Sequence, residues 1–178
     1  MLAVDIDHFG NRLYRLALRI TGVKEDAEAA LDDALRMAAT LTFAAESALE
    51  AWLYVQVARA AHQTVRERRR QVRPIVLDDV LPPLNGEDHH FEPMPDWSDR
   101  IGDQALQERM RGILIAAIDA LPADSRTALI LHDIERTPKS GIAEILDLDV
   151  AAVKLHVHHA RLFVRKRLSE YFAPADAA

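Results

Sequence analysis

The chain has 178 residues, 49% of them hydrophobic, 28% charged and 6% aromatic, and it contains no cysteine. That length holds one domain or two small ones, with core enough to fold without covalent staples. Zero cysteine excludes a disulfide framework, a thiolate nucleophile, an iron–sulfur cluster and any cysteine-bearing zinc site. The first residues, Met1-Leu-Ala-Val-Asp-Ile-Asp7, lack the basic stretch and apolar core of a signal peptide. No apolar run reaches the roughly 20 residues that cross a bilayer. The expectation is a soluble, cytoplasmic protein without membrane insertion.

The net charge of −6 is confined to one stretch. Residues 1–70 carry ten basic and ten acidic side chains, and residues 106–178 carry ten of each again. Residues 71–105 set two arginines (Arg73, Arg100) against eight acids, and hold five of the eight prolines with an Asn85-Gly86 turn. Proline removes backbone donors and biases its predecessor away from helix, while the acids repel one another. The pattern predicts two neutral helical units, 1–70 and 105–173, joined by an extended acidic linker, 71–104. The alternative is one domain with a long surface loop, since Ile75, Val76, Leu77, Leu81, Phe91, Met94 and Trp97 are apolar enough to dock.

In chain order, apolar spacing predicts a helix near 6–21 (Phe9, Leu13, Leu16, Ile20). A second follows near 24–40, opening on Glu25, Asp26 and Glu28, which suit the positive end of a helix dipole. A third begins at Ser47-Ala-Leu-Glu50, a capping-box pattern, and runs to Arg70. It carries one apolar stripe (Leu49, Leu53, Val57, Ala61, Val65) and one polar stripe (Gln56, Arg59, Gln63, Arg66, Arg70). Further helices are expected near 105–120 and 123–134. Thr137-Pro138 then offers an N-cap and a first-turn proline for a short helix to Leu146. Asp147-Leu148 makes a turn, Asp149 caps, and a long helix from Val150 reaches about Leu168, with Val153, Val157, Ala160, Val164 and Leu168 inward. Residues 150–168 contain no acid. No strand periodicity occurs, so the fold class is all-α, with a helix-turn-helix outline in the second unit.

Several features have plain structural readings. The arginines at 66–70 could be a solvated helix end, and Trp52 and Tyr54 suit packing better than base stacking. His156, His158 and His159, like His89-His90, lack the partners of a metal site, so neither metal nor cofactor is expected. Asp32 and Asp33 diverge by about 100° on a helix and cannot flank one substrate. No phosphate loop or nucleophile elbow is present, and the chain does not read as an enzyme.

The run Leu121-Pro-Ala-Asp-Ser-Arg-Thr-Ala-Leu-Ile-Leu-His-Asp-Ile-Glu135, with Ile142-Ala-Glu-Ile-Leu146, Val150-Ala-Ala-Val-Lys154 and His158-His-Ala-Arg-Leu-Phe-Val-Arg-Lys-Arg-Leu168, resembles region 4 of bacterial RNA polymerase sigma factors. The likeness is to the extracytoplasmic-function (ECF) group. Leu16-Ala-Leu-Arg-Ile-Thr-Gly22, Glu25-Asp-Ala-Glu28 and Ala51-Trp-Leu-Tyr54, closing in the arginines at 66–70, are similar to region 2 of that group, and Leu81-Pro-Pro-Leu and Glu92-Pro-Met-Pro-Asp-Trp-Ser98 to its linkers. The resemblance implies two helical domains that bind the polymerase core and read the minus-ten and minus-thirty-five promoter elements, with an anti-sigma factor as a further partner.

On that reading Ala151, Ala152, Lys154, Leu155, His156, His158 and His159 are candidate base readers in the major groove. Arg161, Arg165 and Arg167 are candidate phosphate holders. Gln56, Arg59, Gln63, Arg66, Arg69 and Arg70 suit an opened strand, and the resemblance puts Asp32, Asp33, Leu35 and Arg36 against the polymerase. The chain departs from the family at Arg59, where Asn is usual, at Asp32-Asp33, usually Gln-Glu, and at Asp147, usually Gly. Gly141 also sits inside a predicted helix, and Leu155, His156 and His159 replace Arg or Ser. Neutral imidazoles attract phosphate less than guanidinium, so DNA binding through the second unit is expected to strengthen in acid. Two other functions stay open: a helix-turn-helix regulator that needs no polymerase, and a sigma-like interaction protein that no longer reads promoters.

Overall fold

The computed structural model describes residues 6–70 and 104–172, and every regular element among them is helical. The acidic stretch, the apolar residues within it and His89-His90 lie outside the described residues. Helix α1 spans Ile6–Thr21 and buries Leu13, Leu16, Ala17 and Ile20. It stops at Gly22, whose φ of 71° lets its N–H return to the Leu18 carbonyl at 2.8 Å. Helix α2, Lys24–Ala38, turns small residues (Ala27, Ala30, Ala34) inward, so its backbone lies close to its neighbours.

Helix α3 is Glu46–Arg70, 25 residues long. It begins before Ser47, so the predicted capping box does not form. The Ala45 carbonyl takes the first turn's N–H groups, and the Glu50 carboxylate pairs at 2.5 Å with Arg12 of α1. Of the predicted stripe, Leu53, Val57, Ala61 and Val65 are buried and Leu49 is half-buried, while Ala58 and His62 are buried as well. The wider face follows from α3 having neighbours on two sides, α1 and α2 on one and the second helical unit on the other.

That second unit comprises α4 (Gln104–Ala120), α5 (Ala123–Leu129), α6 (Lys139–Leu146) and α7 (Val150–Phe172). Helix α5 loosens into a π turn at Ile130–Ile134, closed by Glu135 N–H to the Ile130 carbonyl at 3.1 Å. Thr137 does not cap α6. Its hydroxyl is within 2.6 Å of the Tyr54 hydroxyl, and Pro138 takes the cap position with no side-chain bond. Gly141 sits inside α6 because a Cβ there would lie 3.3 Å from the Thr137 methyl. In α7 the inward set is Val153, Val157, Ala160 and Phe163, with the expected Val164 and Leu168 only partly buried. The Phe163 ring wins the inward place because α7 packs on both α4 and α5, where Ala117, Leu121 and Leu129 leave room for a large group.

One core runs through both units, from Leu13 and Val57 to Ile130, Ile142 and Val157. A buried arginine fastens the seam. Arg126 of α5, 4% exposed, donates from Nε to the Ile20 carbonyl at 2.7 Å and from Nη2 to the Arg19 carbonyl at 3.3 Å. It thereby caps α1 from another unit, while its Nη1 pairs with Asp119. A Cβ on Gly22 would stand 3.0 Å from Arg126 Nη2, so the close approach needs glycine on two counts.

Candidate nucleic-acid interface

The helix-turn-helix is built by two aspartates. Asp147 takes a left-handed conformation (φ 55°, ψ 49°) at the end of α6, and Leu148 N–H closes back on the Ala143 carbonyl at 3.0 Å. The Asp149 carboxylate then accepts the Ala152 N–H at 2.6 Å, capping α7 as its position predicted. Glycine at 147 removes the Cβ strain of the left-handed turn. Asp147→Gly is therefore expected to raise stability by about 1 kcal/mol, read as a higher thermal midpoint. An unchanged or lower midpoint would mean that the carboxylate matters here.

Helix α7 presents its first turns outward. Val150, Ala151, Lys154 and Leu155 are exposed, Leu155 by 48%, and Ala152 is half-buried. The remaining candidates are partly engaged by the protein itself. His156 is half-buried with Nδ1 3.0 Å from the hydroxyl of buried Ser125. His158 and His159 are half-buried, their rings 6.0 Å apart. Arg161 is held by Asp133 of the π turn, Nε to Oδ2 at 2.9 Å and Nη2 to Oδ1 at 2.5 Å. Arg165 is exposed, and Arg167 lies over the Phe163 ring at 5.2 Å.

The Arg161 bonds hold the Asp133 carboxyl below its ordinary range, and His132 Nδ1, 2.6 Å away, adds to the effect. A carboxylate lowered in the folded state stabilises it above the unfolded pKa, and that contribution disappears as pH falls through the lowered value. Asp124 behaves alike, lowered mainly by its hydrogen bond with His62. Acid should therefore unfasten both the α7 anchor and the seam. Urea midpoints are expected to drop between neutral pH and about pH 3, and Asp133→Asn should flatten that drop. An equally steep drop in the variant would assign it to other groups.

On α3, Gln56 is half-buried, while Arg59, Gln63, Arg66 and Arg70 are exposed. Arg59 donates to the Glu144 carbonyl at 2.8 Å, and Gln63 to Glu67 at 2.8 Å. Arg69 donates to the Asp119 carbonyl, and burial lowers its pKa, with Arg126 nearby adding to the shift. Gln56, Arg59, Gln63 and Arg66, with Asp33 and Met37 of α2, line a cleft of about 530 Å³ whose far wall is Glu144–Leu146 of α6 and the Asp147 that ends it. On α2, Asp32, Asp33 and Arg36 are exposed, Arg36 donating to Asp33 at 2.8 Å, and Leu35 is half-buried against the core.

Sequence reasoning missed His62, Ser125, Arg126 and Thr127. Thr127 is fully buried, and its hydroxyl lies 3.0 Å from His62 Nδ1. The available signal was an arginine at 126 shortly ahead of the apolar run Ala128-Leu-Ile-Leu131, and a histidine one residue past the apolar stripe. Trp52 packs on Phe43 with ring centres 5.6 Å apart, and both Trp52 and Tyr54 lie partly buried against the core.

A family model of sigma-70 region 4 matches residues 111–164, from within α4 through most of α7. The chain is 27% identical over 162 residues to the ECF RNA polymerase sigma factor SigE of Mycolicibacterium smegmatis, spanning 90% of this chain and 59% of that protein. It is 25% identical over 173 residues to the ECF sigma factor SigW of Bacillus subtilis, spanning 93% and 87% respectively. The chain thus covers less than two thirds of the length of SigE. Among solved structures, the sigma factor RpoE of Bartonella quintana, in complex with the anti-sigma factor NepR, shares the fold. Its TM-score is 0.56 at 21% identity, over 92% of this chain and 94% of that one. Among the described residues, no helix is long and apolar enough to cross a membrane.

Proposed function

We infer that this chain, which belongs to the extracytoplasmic-function group of RNA polymerase sigma factors, is a promoter-specificity subunit working in the cytoplasm. It binds the polymerase core and directs initiation by reading two promoter elements. The observation that carries this reading is the outward N-terminal face of α7 behind a properly closed turn. Ala151, Lys154 and Leu155 project from a capped helix end while Val153 and Val157 anchor its back. That is the arrangement by which a helix offers its first turns to base edges in a major groove. Lys154 supplies the charge there, and Arg165, farther along, can meet the backbone.

Helix α3 supplies the second contact. Its polar stripe, Gln56, Arg59, Gln63 and Arg66, combines amide donors with cations, which suits an opened strand held by its phosphates with its bases apart. The exposed face of α2, with Asp32, Asp33 and Arg36, is assigned to the polymerase. Each contact alone is small. Fixed together on a large enzyme, the two gain from effective concentration. An anti-sigma factor, as RpoE has in NepR, would act by covering these faces.

Run-off transcription with purified core enzyme and a promoter library tests the assignment. Specific initiation that depends on the chain is the expected result. Duplex binding equally strong without core would indicate a plain helix-turn-helix regulator, and core binding without initiation a sigma-like interaction protein.

A further inference from the structure

We propose that Leu155, with Ala151 one turn before it, reads a methyl group in the major groove, so that the chain prefers thymine at the base pair facing the first turns of α7. The inference rests on the duplex-reading role given above to α7 and names the base which that role selects.

Helical phase puts these two side chains near the middle of the outward face. Leu155 is two residues from buried Val153 and two from buried Val157, so it points about 160° away from each. Ala151 lies on the same side, one turn earlier. Leu155 belongs to neither buried cluster, so packing does not account for its place. A single exposed leucine is ordinary on a protein surface. This one stands with exposed Val150 and Ala151 on a capped helix end, in a stretch, 150–168, that carries no acid to repel DNA. The polar groups nearby are engaged or set back. His156 is half-buried with Nδ1 3.0 Å from the Ser125 hydroxyl, and the Asp149 carboxylate accepts the Ala152 N–H. Lys154 is then the one charged side chain among residues 150–155.

Leucine and alanine side chains neither donate nor accept hydrogen bonds. Of the groups that base edges show in the major groove, the C5-methyl of thymine is the apolar one, and the rest are ring nitrogens, carbonyls and amino groups. Covering the methyl takes apolar surface of both partners out of water. Covering a cytosine amino group, or guanine O6 and N7, strips their water and returns no bond. The leucine therefore acts twice, by attraction to thymine and by a cost against the other bases. Deleting one methyl from such a contact corresponds to about a fourfold loss of affinity.

The test uses core enzyme with this chain and a fluorescent duplex bearing the tightest-binding upstream element selected from a promoter library. Each thymine of that element is replaced in turn by deoxyuridine, which keeps the pairing edge and lacks only the methyl. At one thymine the replacement is expected to weaken binding about fourfold. The salt dependence should not change there, since no phosphate contact is lost. Leu155→Ala should bind the thymine duplex about as the wild type binds the uracil one, and should no longer distinguish the two. Its thermal midpoint should match that of wild type, because the side chain is exposed. At the same base, 5-methylcytosine should bind more tightly than cytosine. A selected element without thymine, wild-type binding indifferent to uracil at every position, or an equal uracil penalty in Leu155→Ala would overturn the proposal. A library from which core enzyme and chain select no duplex at all would strike the assigned function, and the methyl reading with it.

Discussion

Arg126→Ala is expected to cost about 3 kcal/mol of folding stability, because it removes a buried cation and leaves the groups around it unpaired. The guanidinium bonds the Ile20, Arg19 and Ile118 carbonyls and the Asp119 carboxylate, joining the end of α1 to α4 and α5. Truncation strands α1 carbonyls that water reaches poorly, in a region whose apolar neighbours give no compensation. Arg126→Lys keeps the charge but cannot serve three directions at once, since an ammonium lacks the planar fork. It should recover only part of the loss. Urea unfolding reads both variants. A midpoint for Arg126→Ala within experimental scatter of wild type would mean that the seam is not fastened there.

Lys154→Glu is expected to have the largest effect on function, lowering run-off transcription from a duplex promoter on the order of tenfold or more. Lys154 is exposed on the second turn of α7 with its aliphatic neighbours Ala151 and Leu155 around it. Reversing its charge replaces attraction to the DNA with repulsion in the groove. The salt dependence of promoter binding should become shallower by about one unit of slope if the lysine meets phosphate. A variant whose affinity falls for some promoters and not others would place Lys154 on a base edge instead. Stability should not change, since the side chain packs on nothing in the core.

Most helices could be read in the sequence because their faces are set by local spacing. The apolar positions of α1 and of α3 recur at three and four residues, and burial follows them closely. Asp147 and Asp149 were legible for the same reason, since a turn's backbone geometry and a helix cap are decided within a few residues. What stayed hidden depends on partners distant in the chain. Thr137 looks like a cap for α6, but a tyrosine 83 residues earlier takes its hydroxyl. Ser47 and Glu50 look like a capping box, yet Arg12 of α1 claims the glutamate. Phe163 displaced Val164 from the core because the gap between α4 and α5 suits a ring, and no periodicity records the size of a gap.

The candidate site divides in the same way. Its outward residues on α7 follow from helical phase once the buried side is known. The engagement of Arg161 by Asp133 and of Arg59 by the α6 carbonyl does not, because both partners lie far along the chain. A basic residue in a recognition helix reads as a phosphate holder until its partner is seen. Arg161 can take that role only by leaving a carboxylate that grips it through two nitrogens.

The most direct measurement is site-specific photo-crosslinking in the complex of core enzyme, this chain and promoter DNA. A crosslinker at Gln63 of α3 should capture a single strand at the opened start region, while one at Leu155 of α7 should capture duplex upstream at the same time. Capture of duplex by α7 with none of the opened strand by α3, in complexes that nonetheless initiate, would contradict a subunit that reads two elements at once.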